Sequence, residues 1–144
     1  MRHTLGRWTR RARAYRELEQ VRADINGCSA IFASTRGGTI QQIMLPVASA
    51  SYLSDLHADG LLSDSALEVI REFLDHAQQA NFFLTAPAQS GPPGLNGAQR
   101  LASLLRGKAL TEIPDENGIT RRDHALGEVA TAITTMQRQW WRLW

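Results

Sequence analysis

The stretch 29–47, SAIFASTRGGTIQQIMLPV, decides the fold class of this chain. Two readings are open. As a hairpin, Ser29–Thr35 and Thr39–Val47 would pair across Arg36-Gly37-Gly38, which uses the β-branched residues and gives an α+β protein with a small hairpin at 29–47. As helix, the first part closes a long segment and the glycine pair stops it; Thr39, with Gln42 three residues on, then opens the next through a capping box. A half-buried strand needs apolar and polar residues to alternate, and Ile43, Met44 and Leu45 are apolar in a row. The helical reading is therefore preferred, and with it an all-α chain. Pro46 then breaks or kinks the second helix, or serves as the first residue of a fresh one from Val47 to Ala58.

Upstream, Trp8, Ala12, Tyr15, Leu18, Val21, Ile25, Cys28 and Phe32 recur every three or four residues between Leu5 and Thr35. That is the apolar stripe of an amphipathic helix. Gly27 is its weak point, since glycine costs about 1 kcal/mol against alanine inside a helix.

Downstream, Gly60 ends one helix, and Ser65 with Glu68 offers a capping box for the next. Ala66, Val69, Ile70, Phe73, Leu74 and Ala77 line one face of that helix, which is expected to end near Leu84. Residues 86–97 contain Gly91, Pro92, Pro93, Gly94 and Gly97 and read as a Gly/Pro-rich surface loop. A short helix, Ala98–Arg106, and a turn with Pro114 and Asn117-Gly118 follow. The last helix opens at Thr120, with Asp123 three residues on, and carries Leu126, Val129, Ala130, Ile133, Met136, Trp140 and Trp144 on one stripe. The expectation is about five helices in an antiparallel, bundle-like single domain over 1–144.

Composition agrees with such a fold. At 144 residues, 43% hydrophobic and 21% charged, the chain can bury a core and is not built like a disordered one. No apolar stretch approaches the roughly 18–20 residues of a membrane span, so an integral membrane protein is not expected. The start is Arg-rich and free of acids as far as Arg16, as in an organelle transit segment, but the periodic pattern runs on into Leu18, Val21 and Ile25 and makes it part of the fold. Cys28 is the single cysteine, which excludes an intramolecular disulfide and points to a reducing cytoplasm. Its place on the apolar stripe makes it a core residue.

Catalytic and metal-binding patterns are weak. The glycine–proline loop precedes a helix but lacks the lysine of a P-loop: counting from Gly91, Asn96 and Gly97 fall where Gly and Lys are required. His3, His57, His76 and His124 share no metal-ligand spacing. Glu68, Glu72 and His76 lie on one helix face, yet a metal site usually draws further ligands from another element. Asp55, His57 and Asp59 alternate and point to different sides of a helix. The acids of the middle segment are dispersed, with no general acid/base pair among them. Neither enzymatic activity nor a metal or other cofactor is expected.

Charge is sorted along the chain. Residues 1–36 hold eight arginines against three acids, a balance of +5; residues 37–99 hold only Arg71 against six acids, a balance of −5. Residues 100–144 return to +2. Such clusters attract partners of opposite sign. Fifteen of the sixteen bases are arginine, whose planar fork suits phosphate and carboxylate. Arg7, Arg10, Arg11, Arg13 and Arg16 are the candidate nucleic-acid contacts. Arg7, Arg10 and Arg11 are expected to point away from Trp8 and Ala12. A spread of this kind straddles a phosphate backbone better than it reads a groove. Pairing with Asp64, Glu68, Glu72 and Asp75 of the same chain or a neighbour is the competing account, and an anionic membrane surface a third.

The C-terminus places three of the four tryptophans within five residues. Trp140, Trp141, Arg142 and Trp144 are the candidate protein interface, since Trp and Arg anchor binding hot spots. The functional expectation is a non-catalytic binding protein, such as a helical accessory subunit or regulator in a nucleoprotein complex. It would touch phosphates through its first helix and dock a protein partner, or a second copy, through its last. The alternative is a protein–protein adaptor, inhibitor or self-assembling protein with no affinity for nucleic acid.

Overall fold

The computed structural model describes residues 2–34, 44–85 and 93–141, with side chains placed for 9–34, 44–84 and 98–139. Five α-helices and one 3₁₀ turn account for nearly all of them: α1 (Arg2–Ala33), the turn (Ala48–Tyr52), α2 (Leu53–Ala58), α3 (Asp64–Thr85), α4 (Pro93–Glu112) and α5 (Arg121–Trp141). No strand occurs among the described residues. The hairpin at 29–47 does not form. Its first arm lies in the last turns of α1, where Cys28, Ser29 and Phe32 face the core, and Met44–Val47 is irregular backbone. A second helix reaching Pro46 is absent too, while Thr39–Ile43 lie outside the described residues.

The four long helices form a bundle in which α1 and α3 each pack against both α4 and α5, and the two diagonal pairs touch only lightly. The α3–α4 pair is antiparallel: His76 Nε2 lies 3.2 Å from the Ser103 carbonyl, and Arg100 Nε donates to the Phe83 carbonyl at 2.8 Å. Arg121 at the start of α5 meets Glu72 of α3, and Phe32 near the end of α1 meets Phe73 edge-on at 6.5 Å. α5 therefore opens near the end of α1 and, packing along it, runs back toward the α1 N-terminus.

The α1 register differs from the expected stripe at its start. Ala14, Leu18, Val21, Ile25, Cys28 and Phe32 are buried, whereas Ala12 is exposed and Tyr15 half-buried. Spacing alone allows either phase, and packing selects the one carried by Ala14. Gly27 does not break the helix. A Cβ there would come 2.8 Å from Pro46 Cγ, so glycine is what lets the returning chain cross α1 closely. Gly107 plays the same part in α4, where a Cβ would lie 2.3 Å from the Phe32 ring.

Other expectations hold or shift by a few residues. Ser63, not Ser65, caps α3, its Oγ accepting the Ala66 N–H at 3.1 Å. Thr120 caps α5 as expected, accepting the Asp123 N–H at 3.1 Å. On α5 the buried residues are Ala125, Val129, Ala132, Ile133 and Met136, while Ala130 is exposed. α4 begins at Pro93 and runs to Glu112, well beyond Ala98–Arg106, so 93–97 of the expected loop 86–97 are helix, while 86–92 lie outside the described residues. Proline is favoured at a first helical position because its missing N–H would have no helical partner there. Gly60, at φ +76°, ends α2 with Leu61 N–H bonded to the Leu56 carbonyl and Gly60 N–H to that of His57. That is a Schellman stop.

Candidate nucleic-acid interface

Two side chains hold the returning segment 44–49 on the bundle. The Asn81 amide donates to the Leu45 carbonyl at 2.9 Å and accepts its N–H at 2.7 Å, as a neighbouring strand would. Asp24, only 2% exposed, accepts the Ser49 N–H at 2.9 Å through one carboxylate oxygen and Gln20 Nε2 at 2.8 Å through the other. Ser49 lies in the first turn of the 3₁₀ segment, whose N–H groups lack helical partners, so the carboxylate supplies one. Cys28 completes the seam, its thiol donating to the Pro46 carbonyl at 3.1 Å. Burial first, and Asp24 second, push that thiol up to about 12, so it stays protonated. This is the core cysteine the sequence implied.

The arginine-bearing part of α1 emerges from this framework. One turn before Ala14 the buried azimuth passes to Arg10 and Arg11, because positions three and four apart share a helix face. These two were expected to point away from the stripe; moving the register from Ala12 to Ala14 puts them in line with it. Arg10 is exposed and Arg11 half-exposed, which shows where the core ends. Neither forms an ion pair among the described residues. Arg13 pairs with Glu17 at 2.9 Å with 72% of its side chain exposed, and Arg16 Nε reaches only the Ala12 carbonyl, at 3.4 Å. Arg7 continues the same register, but its side chain lies outside the described residues.

No α1 arginine meets the acidic face of α3 among the described residues. Arg22 pairs with Glu19 on its own helix, which holds Glu19 below the usual carboxylate range through their hydrogen bond. On α3, Glu72 meets Arg121 at 3.3 Å and Asp64 meets His57 at 2.6 Å. Asp64, Glu68, Glu72 and Asp75 line a shallow groove on α3 together with Leu67 and Arg71. Since α1 and α3 sit on a diagonal of the bundle, their charged outer faces are kept apart.

The weaker metal candidates are not brought together. Glu72 turns to α5, while His76 lies half-buried against Phe32 and the Ser103 carbonyl. Among the described residues no three His, Cys, Asp or Glu side chains converge as a metal site would need. No described helix is long and apolar enough to cross a membrane.

A groove that the sequence reading passed over lies beside the arginines. Arg13, Arg16, Glu17 and Gln20, at i, i+3, i+4 and i+7 of α1, form one wall, and Tyr52 from the end of the 3₁₀ turn forms the other. Its volume is about 290 Å³. The helical spacing was visible in the sequence. The tyrosine was not, because it arrives through the fold of 44–52. Trp140 and Trp141 occupy the last turn of α5, whose course brings it toward the same end of the bundle. Arg142 and Trp144, the rest of that candidate interface, lie outside the described residues. No protein family, curated protein or solved structure matches the chain.

Proposed function

We propose that this chain is a non-catalytic binding protein whose Arg-rich end contacts the phosphates of a nucleic acid, as an accessory subunit or regulator of a nucleoprotein complex would. One observation carries the reading. Arg10, Arg11, Arg13 and Arg16 stand at or beyond the edge of the core, and none of them is neutralised by the acidic face of α3 among the described residues. Arg10 and Arg11, unpaired among the described residues, stand with Arg16 beside an Arg13 held only by Glu17 of its own helix; such a cluster raises the local positive potential, and arginine forks match phosphate oxygens. The contacts are to the backbone, so binding is salt-sensitive and reads little sequence. A protein partner at Trp140, Trp141, Arg142 and Trp144 belongs to the same proposal, as does a cytoplasmic location, for which the single cysteine is the ground.

The test is fluorescence anisotropy of labelled DNA and RNA at two salt concentrations, with the wild type and with Arg10, Arg11 and Arg13 all replaced by Gln. Micromolar or tighter binding that falls steeply with salt is expected. Losing up to three phosphate contacts should reduce the slope of log K against log salt by roughly 2–3. Absence of binding at low salt would sink the proposal. A change of oligomeric state in the triple variant would instead favour the adaptor or self-assembling alternative.

A further inference from the structure

We infer that the groove between α1 and the 3₁₀ turn takes an unstacked base of a single-stranded nucleic acid, with Tyr52 as its stacking platform. The inference rests on the phosphate-binding reading and narrows it from polyanions in general to strands whose bases are free to leave the stack.

Four features of the groove point this way. Arg16 uses its Nε on the Ala12 carbonyl and Arg13 its Nε on Glu17, which leaves terminal guanidinium nitrogens of both for a phosphate. Tyr52 is half-buried, packed against the core on one side while lining the groove on the other. A ring held in this way can stack with a base without first being ordered, and stacking tolerates any base because each has a π-face. Glu17 and Gln20 place side-chain acceptors in the wall, suited to the N–H groups of a base edge. The volume of about 290 Å³ falls just below the roughly 300–1,000 Å³ of drug-sized ligand sites, as suits a single base.

The platform is also held in place. Gln20 donates to Asp24, and Asp24 accepts from Ser49 three residues before Tyr52, so the two walls share a hydrogen-bonded strut centred on the buried Asp24. Beyond the groove, Arg10, three residues before Arg13, continues the positive track one turn further along α1. A polymer rather than a mononucleotide gains from that continuation. A regular duplex keeps its bases stacked inside and can use only the arginines.

Anisotropy with a labelled single strand, its duplex and an abasic strand of equal length tests the inference. The single strand should bind about tenfold more tightly than the abasic strand, the scale of one base stacked on an aromatic ring. Tyr52→Leu should remove most of that advantage and leave duplex affinity unchanged, while Tyr52→Phe retains it. Equal affinity of the abasic strand and the single strand overturns the base site but leaves the phosphate reading standing. No binding of any of the three probes overturns both. Because the abasic comparison uses the wild-type chain, it decides the matter even if Tyr52→Leu fails to fold.

Discussion

The two halves of α1 keep one helical register and differ in what that register buries. From Ala14 to Phe32 the inward positions are sealed, with Leu18, Val21, Ile25, Cys28 and Phe32 at 0% exposure. One turn earlier the same azimuth carries Arg10 and Arg11, which are exposed or half-exposed. Nothing in the helix geometry changes at that boundary. What changes is the exposure of the side chains that occupy the inward register. Periodicity announces a helix, but residue type announces where its core ends. An arginine on the inward register therefore marks where the described side chains cease to be fully buried.

Truncating the sealed half should produce the largest effect. Phe32 has no exposed surface, stacks edge-on with Phe73 and lies against Gly107. Phe32→Ala removes the ring and leaves a cavity between α1, α3 and α4. A loss of about 3–5 kcal/mol is expected in urea or thermal unfolding, the usual range for phenylalanine in a core. A loss under about 1 kcal/mol would mean that α1 is not docked as described.

The opposite change, adding atoms on the partner helix, should do less. Alanine at an exposed glycine inside a helix stabilises by up to about 1 kcal/mol. At Gly107 the added methyl would meet three atoms of the Phe32 ring at 2.3–2.5 Å, and that ring is buried with nowhere to swing. Overpacking of this sort costs about 1–3 kcal/mol, so the sign of the substitution should reverse. Gly107→Ala is expected to lower the melting temperature, and to cost less in a Phe32→Ala background than in the wild type, because the clash has gone with the ring. A stabilised Gly107→Ala protein would show that α1 and α4 do not approach this closely.

How much of this was readable beforehand varies with the kind of signal. The all-α class and the face of α3 from Ala66 to Ala77 follow from periodicity, and Gly60 and Thr120 from local backbone chemistry. Such signals act within one turn and survive the absence of tertiary information. The reading failed where distant residues decide. Gly94, Gly97 and Gly107 weaken the propensity of α4, yet Gly107 is there because Phe32 needs the space, and packing overrides propensity. Asp24 looked like one more acid on a basic helix, but it holds the 3₁₀ turn from 25 residues away. Tyr52 gave no hint of facing Arg13 and Arg16, since only the returning 44–52 segment brings it there. The arginines themselves were legible as a cluster from charge alone, whereas their freedom from the acidic face of α3 depends on which helices share a diagonal.

The smallest expected change is the sharpest test of the boundary within α1. Arg11→Leu extends the apolar register of Ala14 and Leu18 by one turn toward the N-terminus. If the bundle reached that turn, a leucine there would be buried and would stabilise by about 1.5–3 kcal/mol. Arg11 is half-exposed and makes no ion pair among the described residues, so the change should stay within about 0.5 kcal/mol of wild type, as surface substitutions do. Polyanion affinity should nonetheless fall, because the charge has gone while the fold has not. A clear gain in stability would place the edge of the core at Arg11 rather than Ala14. A loss above about 2 kcal/mol would make Arg11 a structural residue and remove it from the binding surface. Stability unchanged with affinity reduced is the result that separates the two halves of α1, one spent on the fold and the other left for a partner.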